Sequence, residues 1–315
     1  MFQPDVLHWK CCAPHPFWEG SRGYALRYKG ELAAFGCLVP CGFLTGAATV
    51  TSCCVIDWAA SKAVPGAGVM LYTAIQQLTG TMINIGGTDD ARAVLPRMGF
   101  RVDQQLEIYT RVLRPWQHFR QTHPRVRDWK APLRLARDFR ELVRAAQRLQ
   151  PALTLRRIDH FDATHAAIMP DPQVTRAVVC TRTPELLNYC LACPAARVEA
   201  YLFERDNTPA GYCLLSRVGH QCRIADLWIR SANQDTWAEA YAAAAAAAQS
   251  DPQTTEIQAA ASLPQQTAAL RHAGYRLTNR EPLFVLDPQA TLAGRSDLAI
   301  HLLENDAWYW STTGA

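Results

Sequence analysis

The chain has 315 residues, 49% of them hydrophobic and 19% charged, with a formal net charge of +4. That balance belongs to a globular protein long enough for two cores and excludes a disordered chain; no apolar run approaches the roughly 20 residues of a membrane span, and the opening "MFQPDVLHWK" lacks the basic head and apolar stretch of a signal peptide. The eleven cysteines, odd in number and scattered through apolar segments, read as reduced, buried thiols of a cytoplasmic protein, not as a disulfide framework.

In chain order, "GYALRYKG" and "ELAAFGCLVP" are apolar runs around Lys29 and Gly30, the pattern of a hairpin. "ATVTSCCVIDW" predicts a strand buried on both faces. A glycine turn at Val64–Gly68 leads into "VMLYTAIQQLTG", which has helical spacing and closes at Gly80. "MINIGG" is a short strand. "TDDARAVLPRMG" begins at a Thr/Asp cap and ends at Gly99, with Pro96 shortening or kinking it. "FRVDQQLEIYTRVL" supplies one or two further strands.

A basic stretch follows. Between Arg111 and Arg157 lie thirteen Lys or Arg residues against Asp128, Asp138 and Glu141. Within it Leu135, Phe139, Leu142, Val143, Ala146 and Leu149 share one helical face, and Arg137, Arg140, Arg144 and Arg148 the other. "LTLRRIDHFDATHAAI" then predicts a strand and an Asp-capped helix.

The second half repeats the first. Trp9 and Pro14 answer to Tyr189 and Pro194, "GYALRYKGELAAFGCL" to "AYLFERDNTPAGYCLL", and Gly99-Phe100 to Gly274-Tyr275, at an offset near 177. The chain divides on this reading into a unit at 1–115 that lacks the repeat's opening strand and helix, a basic helical connector at 116–150, and a second unit at 151–315. Each unit is read as α/β (α+β), a mixed, mostly antiparallel sheet flanked by helices. The second carries no glycine turn, so it is read as the degenerate, supporting copy.

A strand, a glycine turn and a helix start bring backbone N–H groups and the positive helix end to one point, an arrangement that suits a phosphate or pyrophosphate. On the preceding strand Ser52, Cys54 and Ile56 share one face and Cys53, Val55 and Asp57 the other. Asp57 is the carboxylate available as a base there; Cys54 is a conceivable nucleophile with no base beside it. Trp9, Phe17 and Trp18 line an acceptor pocket or pack as core. His8, Cys11, Cys12 and His15 lack zinc spacing, and no metal is expected. Asp226 reads as a hydrogen-bonded structural acid.

The order hairpin, buried strand, glycine turn, helix, strand, helix, Gly-Phe resembles the GNAT superfamily of N-acetyltransferases, and the doubling resembles its tandem acyltransferases. The family pattern V-x-P-x-x-[QR]-x-x-G-x-[GA] can be laid on Trp58 to Gly68. A second, N-x-x-A-x-x-x-Y-x-x-x-G-F, can be laid on Thr88, Ala91, Leu95 and Gly99-Phe100. Ala63 stands where Gln or Arg is usual, Pro65 removes an amide, and Leu95 replaces a tyrosine that protonates the leaving thiolate in many members; Leu270 does so in the second copy.

The resemblance implies acyl transfer from an acyl-CoA, or an acyl-carrier thioester, to an amine or hydroxyl of a small molecule or sugar. It implies donor contacts at Trp58, Val64, Gly66, Ala67, Gly68, Val69 and Thr88. The backbone N–H near Trp58 would polarise the thioester carbonyl. Asp57, Ser52 and Cys54 are the candidates for catalysis. The arginine face suits an acidic acyl carrier protein, and no aromatic interleaving points to nucleic acid. The alternatives are a non-catalytic binding or scaffold protein and a FemABX-like transferase using aminoacyl-tRNA.

Overall fold

The computed structural model describes residues 3–45, 48–122, 131–148, 153–171, 177–292, 295 and 297–310, with the side chains of 131 and 145–148 outside the description. Helix α1 (Pro4–Cys11) precedes β1 (Gly23–Tyr28) and β2 (Glu31–Thr45). Lys29 and Gly30 join these strands with φ of 51° and 87°, the left-handed pair that a tight two-residue hairpin requires. Next come β3 (Ala48–Ala60), α2 (Ala67–Gln76), β4 (Thr81–Ile85), α3 (Asp89–Val94) and β5 (Arg101–Val112). Pro96 falls in a 3-10 turn, Leu95–Met98, that cuts α3 short before Gly99.

The connecting helices are α4 (Pro115–Thr122) and α5 (Ala131–Arg148). Beyond them lie β6 (Thr154–Ile158), β7 (Val178–Cys180), α6 (Pro184–Leu191), β8 (Arg197–Arg205), β9 (Thr208–Val218), β10 (Gln221–Ile229) and α7 (Gln234–Gln249). Strand β11 (Glu256–Ala261), α8 (Pro264–His272), β12 (Arg276–Leu286) and β13 (Leu298–Ala299) follow. Asp162 caps the run that follows it, as expected, and His165 completes a capping box, but that run, Ala163–Ile168, is 3-10 and not α.

The architecture is mixed α/β. Among the described residues thirteen strands make one sheet in the order β13-β7-β2-β3-β4-β12-β5-β11-β10-β9-β8-β6, with β1 paired to β2, and helices flank it. The pairs β3·β4, β10·β11 and β7·β13 are parallel and the remainder antiparallel. The centre is an exchange: β12 lies between β4 and β5, and β5 lies between β12 and β11. Each half of the sequence thus completes the other's sheet. At the opposite margin β7 pairs with Phe43 and Leu44 of β2 and receives β13, so late segments of the chain cover the edge of an early strand.

The connector corrects one expectation. Leu135 and Leu142 of α5 are half-buried, but Phe139 and Val143 are exposed, and Asp138 is the buried residue, held by Arg137 at 2.7 Å and Arg276 at 3.5 Å. The hollow beneath this helix is lined by Arg111, Arg271 and Arg276, so it receives a carboxylate and not a continuous apolar stripe. The side chains of Ala146, Arg148 and Leu149 lie outside the described residues. Among the described residues no helix is long and apolar enough to cross a membrane.

Candidate functional site

Strand β3 carries a bulge. Cys37 of β2 faces Ile56 whereas Phe35 faces Ala59, so Asp57 and Trp58 together oppose Gly36. Asp57 takes φ of 53°, a left-handed conformation that a carboxylate side chain adopts at a cost. The bulge bends β3 away from β4, and the parallel pairing of these strands is confined to Ser52–Cys54 against Thr81–Ile83. Past that point they diverge, leaving a splay that opens toward the start of α2.

The two glycines of the turn serve different ends. Gly66, the N-cap of α2, has φ of 82° and nothing within 4 Å of where a Cβ would stand; its need is conformational. A Cβ on Gly68 would stand 3.2 Å from Trp58 Nε1 and 3.1 Å from Ala60 Cβ. The absent side chain admits the indole, which donates to Gly68 O at 3.0 Å. The first N–H groups of α2, on Ala67, Gly68 and Val69, precede any intrahelical acceptor; the Ala67 amide instead donates to Val64 O. Trp58 meets the buried Tyr72 edge-on at 4.8 Å, and Asn84 of β4 reaches the Tyr72 hydroxyl at 3.4 Å. Indole, phenol and amide thus tie the end of β3 to α2 and β4.

The residues singled out in the sequence fall into separate places. Trp58, Val64, Gly66, Ala67, Gly68 and Val69 gather at the end of β3 and the start of α2, with Asp57 at the bulge. Thr88 caps α3, its Oγ1 accepting from Ala91 N at 3.3 Å, just beyond the C-terminal end of β4. Ser52 and Cys54 sit in the closed, parallel-paired part of β3, both fully buried. Burial pushes the Cys54 thiol well up, which keeps it protonated. Leu95 and Leu270 are core residues in the two halves. Of the aromatic trio, Trp9 borders an interior cavity, Phe17 a surface depression, and Trp18 packs beside α2.

Three features near the bulge carry no signal in the sequence. Lys10, buried at the end of α1, makes an ion pair with Asp57 and lies 3.8 Å from Asp306 of the C-terminal segment. Tyr309 places its ring 5.5 Å below the same ammonium. These contacts span 47 residues or more, so spacing cannot announce them. Beside them is a cavity of about 50 Å³ bordered by Lys10, His15, Arg22, Arg182, Tyr189 and Glu304. His15 and Tyr189 also border a surface depression of about 640 Å³, whose other walls include Pro14, Phe17, Thr183 and Glu185. Burial, with the Arg22 guanidinium adding to it, lowers His15 to about 3, so its imidazole is neutral at ordinary pH.

Arg182 and Glu304, on the cavity wall, belong to a buried ion cluster. Arg182 forms a bidentate pair with Asp226, at 2.7 and 3.2 Å, and a second ion pair with Glu304. Asp226 also accepts from the Tyr212 hydroxyl at 2.6 Å and lies 2.9 Å from His301 Nδ1. Burial alone would raise this carboxyl; Arg182 and the His301 hydrogen bond overcome that and hold it well below the usual carboxylate range. Asp226 is thus the hydrogen-bonded structural acid expected.

The second half has its own bulged strand with a different filling. Register slips between Ile224 and Asp226 in β10, and β10·β11 pairing is limited to Gln221–Arg223. Where the first half has a glycine turn, α7 starts at Asn233, which accepts from Asp235 N. Trp228 and Trp237 meet edge-on at 5.5 Å and are fully buried, so packed indoles occupy this region.

No protein-family model matches the chain, and neither does any curated protein. Solved structures do. A GCN5-related N-acetyltransferase from Anabaena variabilis is 12% identical with a TM-score of 0.54, over 85% of this chain and 63% of that one. A probable N-acyltransferase from Enterococcus faecalis is 11% identical with a TM-score of 0.55, over 86% and 63%. The N-myristoyltransferase of Saccharomyces cerevisiae, solved with bound myristoyl-CoA, is 11% identical with a TM-score of 0.60, over 91% and 71%. The chain spans 63% of the length of the first two of these. These likenesses are of fold: the chain has the fold of the GNAT superfamily.

Proposed function

We propose that the protein is an acyltransferase whose donor, an acyl-CoA or an acyl-carrier thioester, lies in the splay between β3 and β4 with its pyrophosphate at the start of α2. One observation carries this reading. The first-half splay lies beside a glycine turn whose helix amides on Gly68 and Val69 precede any intrahelical acceptor, whereas its second-half counterpart is packed with Trp228 and Trp237. Backbone N–H at the Asp57–Trp58 bulge would polarise the thioester carbonyl. Asp57 is the base this reading favours over Ser52 and Cys54, which lie in the closed part of the strand. The acceptor, an amine or hydroxyl of a small molecule or sugar, would enter through the depression at Phe17 and Thr183 and pass His15 and Tyr189.

The supporting role of the second half, and the origin of the two halves by duplication, belong to the same proposal. A carrier-protein donor is favoured by exposed Arg140 and Arg144, which share the one carboxylate of Glu141 and so keep a net positive charge, beside exposed Phe139 and Val143 on α5, the sign an acidic carrier needs.

Calorimetric titration with acetyl-CoA and a longer acyl-CoA tests the reading. The expected result is one site per chain, lost in Gly66→Asp, where open space lets a carboxylate repel the pyrophosphate without a clash. Absence of binding by either donor sinks free CoA and leaves the carrier-protein donor or a non-catalytic binding role. Tight binding of tRNA that weakens steeply with salt would favour the aminoacyl-transfer alternative.

A further inference from the structure

Two thiols outside the proposed donor site face each other. Cys11 Sγ, at the end of α1, lies 3.0 Å from Cys37 Sγ in β2. Both are buried, Cys37 completely and Cys11 to 8% exposure. Gly23 covers them from the neighbouring strand: it pairs with Cys37, and a Cβ on it would stand 3.0 Å from Cys11 Sγ and 3.8 Å from Cys37 Sγ. Gly23 is itself only half-buried, so a residue without a side chain is what separates the two sulfurs from the surface on this side.

We propose that Cys11 and Cys37 are a peroxide-reactive dithiol that closes to a disulfide, a modification site tying α1 to the sheet. The Cys11 thiolate attacks one oxygen of a hydroperoxide, the O–O bond breaks, and the departing alkoxide or hydroxide takes up a proton. Cys11 is left as a sulfenic acid. The Cys37 sulfur then attacks that sulfur, its own proton joins the displaced hydroxyl, and water leaves. Two thiols give up two electrons, and the peroxide is reduced to an alcohol, or water, plus a second water.

The roles of the two sulfurs differ. Cys11 is the less buried of the two, at 8% against 0%, and follows Lys10 directly in the chain; the contact with Cys37 and the Lys10 charge lower it, while the same contact and burial raise Cys37. Cys11 is therefore the attacking sulfur and Cys37 the resolving one. Elsewhere Cys41, Cys54, Cys180 and Cys213 are raised by burial and stay inert, and exposed Cys12 is the competitor that a test must remove.

The experiment uses the full-length Cys12→Ser protein. It is treated with stoichiometric hydrogen peroxide, quenched with N-ethylmaleimide in urea so that buried thiols are also capped, and read by intact mass and by peptide mapping without reductant. The expected result is two fewer maleimide adducts than in the untreated protein, a single Cys11–Cys37 link, and full reversal by dithiothreitol. In Cys37→Ser the link is gone and dimedone labels Cys11 as the stranded sulfenic acid. The proposal is overturned if both thiols remain free for the maleimide after peroxide, if Cys11 stops at the sulfenic acid with Cys37 present, or if the bond joins another pair. Should Cys37→Ser fail to fold, the Cys12→Ser map decides the question by itself.

Discussion

Arg182→Met is the substitution whose outcome the geometry fixes most closely. The guanidinium is 3% exposed, and its two carboxylate partners, Asp226 and Glu304, are 1% exposed each. Methionine fills similar volume but leaves two buried carboxylates without their cation. Asp226 keeps the Tyr212 hydroxyl and His301, and Glu304 keeps the backbone N–H of His301 at 2.7 Å, so neither is stripped bare. Removing one partner of such a pair costs about 3–5 kcal/mol, mostly the desolvation of what remains. The pH dependence separates this from lost packing. In the native protein the Asp226 carboxyl is depressed below its unfolded value of 3.8, so its contribution is present above that value and lost as pH falls through the folded one. In the variant burial dominates and the carboxyl rises above 3.8, so the deficit is largest at neutral pH and shrinks toward pH ~4. Urea unfolding followed by circular dichroism at the two pH values measures both. A deficit under about 1 kcal/mol, or one of equal size at both pH values, refutes the electrostatic account.

Gly86→Ala and Gly66→Ala both place Cβ at positive φ, but Gly86 also faces Glu281 Oε2 at 2.5 Å while Gly66 faces open space. Thermal melts should show roughly 1 kcal/mol lost at Gly66 and more at Gly86, where the new Cβ must push the Glu281 carboxylate off Arg92, 2.6 Å away; equal losses would mean that the carboxylate moves aside freely. Because His15 is held near 3 against an ordinary 6.5, the unfolded chain binds a proton there that the folded one refuses. Stability is full above about 6.5 and falls as pH drops toward 3, by up to about 1.4 kcal/mol per unit; in His15→Gln the stability-against-pH slope should flatten. Cys54 should resist a thiol reagent until urea unfolds the chain, and Cys54→Ala should preserve any acyl transfer the protein shows. Loss of turnover in that variant with native stability would reinstate the thiol as a nucleophile.

Local chemistry was legible in the sequence and long-range pairing was not. Lys29-Gly30 declares its hairpin because the left-handed pair is a property of two adjacent residues. The run from Ser52 to Ile56 declares a doubly buried strand because every residue in it is small or apolar. "FRVDQQLEIYTRVL" announces a strand but cannot say that its neighbours are β11 and β12, since alternation fixes a face and not a partner. The same limit hid Lys10–Asp57 and Arg182–Asp226, whose members are 47 and 44 residues apart. Helix α5 shows a third kind of limit: its periodicity is real, yet the basic hollow beneath decides which side chains are buried.

Asp57 and Asp226 stand at register slips in two bulged strands, and each holds a cation from a distant segment of the chain, Lys10 of α1 and Arg182 just past β7. Those segments meet where Trp9 stacks on Tyr189 at 4.9 Å, with Trp9 Nε1 donating to Tyr189 O and the Tyr189 hydroxyl to Trp9 O. Equivalent placement does not make the two acids equivalent in use. Asp226 is sealed, with three side-chain partners and packed indoles nearby, which is the setting of a structural ion. Asp57 is 10% exposed, sits on strained backbone, and stands in the bulge beside Trp58, whose indole reaches Gly68 of α2. Conservative amides should therefore part the two. Asp226→Asn should lose stability on the order of 3 kcal/mol, because Arg182, Tyr212 and His301 lose their shared acceptor. Asp57→Asn leaves Lys10 with Asp306 at 3.8 Å, so its stability loss should be the smaller, while acyl transfer falls by about 100-fold or more if the carboxylate takes the acceptor's proton. Paired denaturation and turnover measurements decide it. Unchanged transfer in Asp57→Asn would leave this aspartate as a structural partner of Lys10 and return the search for a base to the cavity bordered by His15 and Glu304.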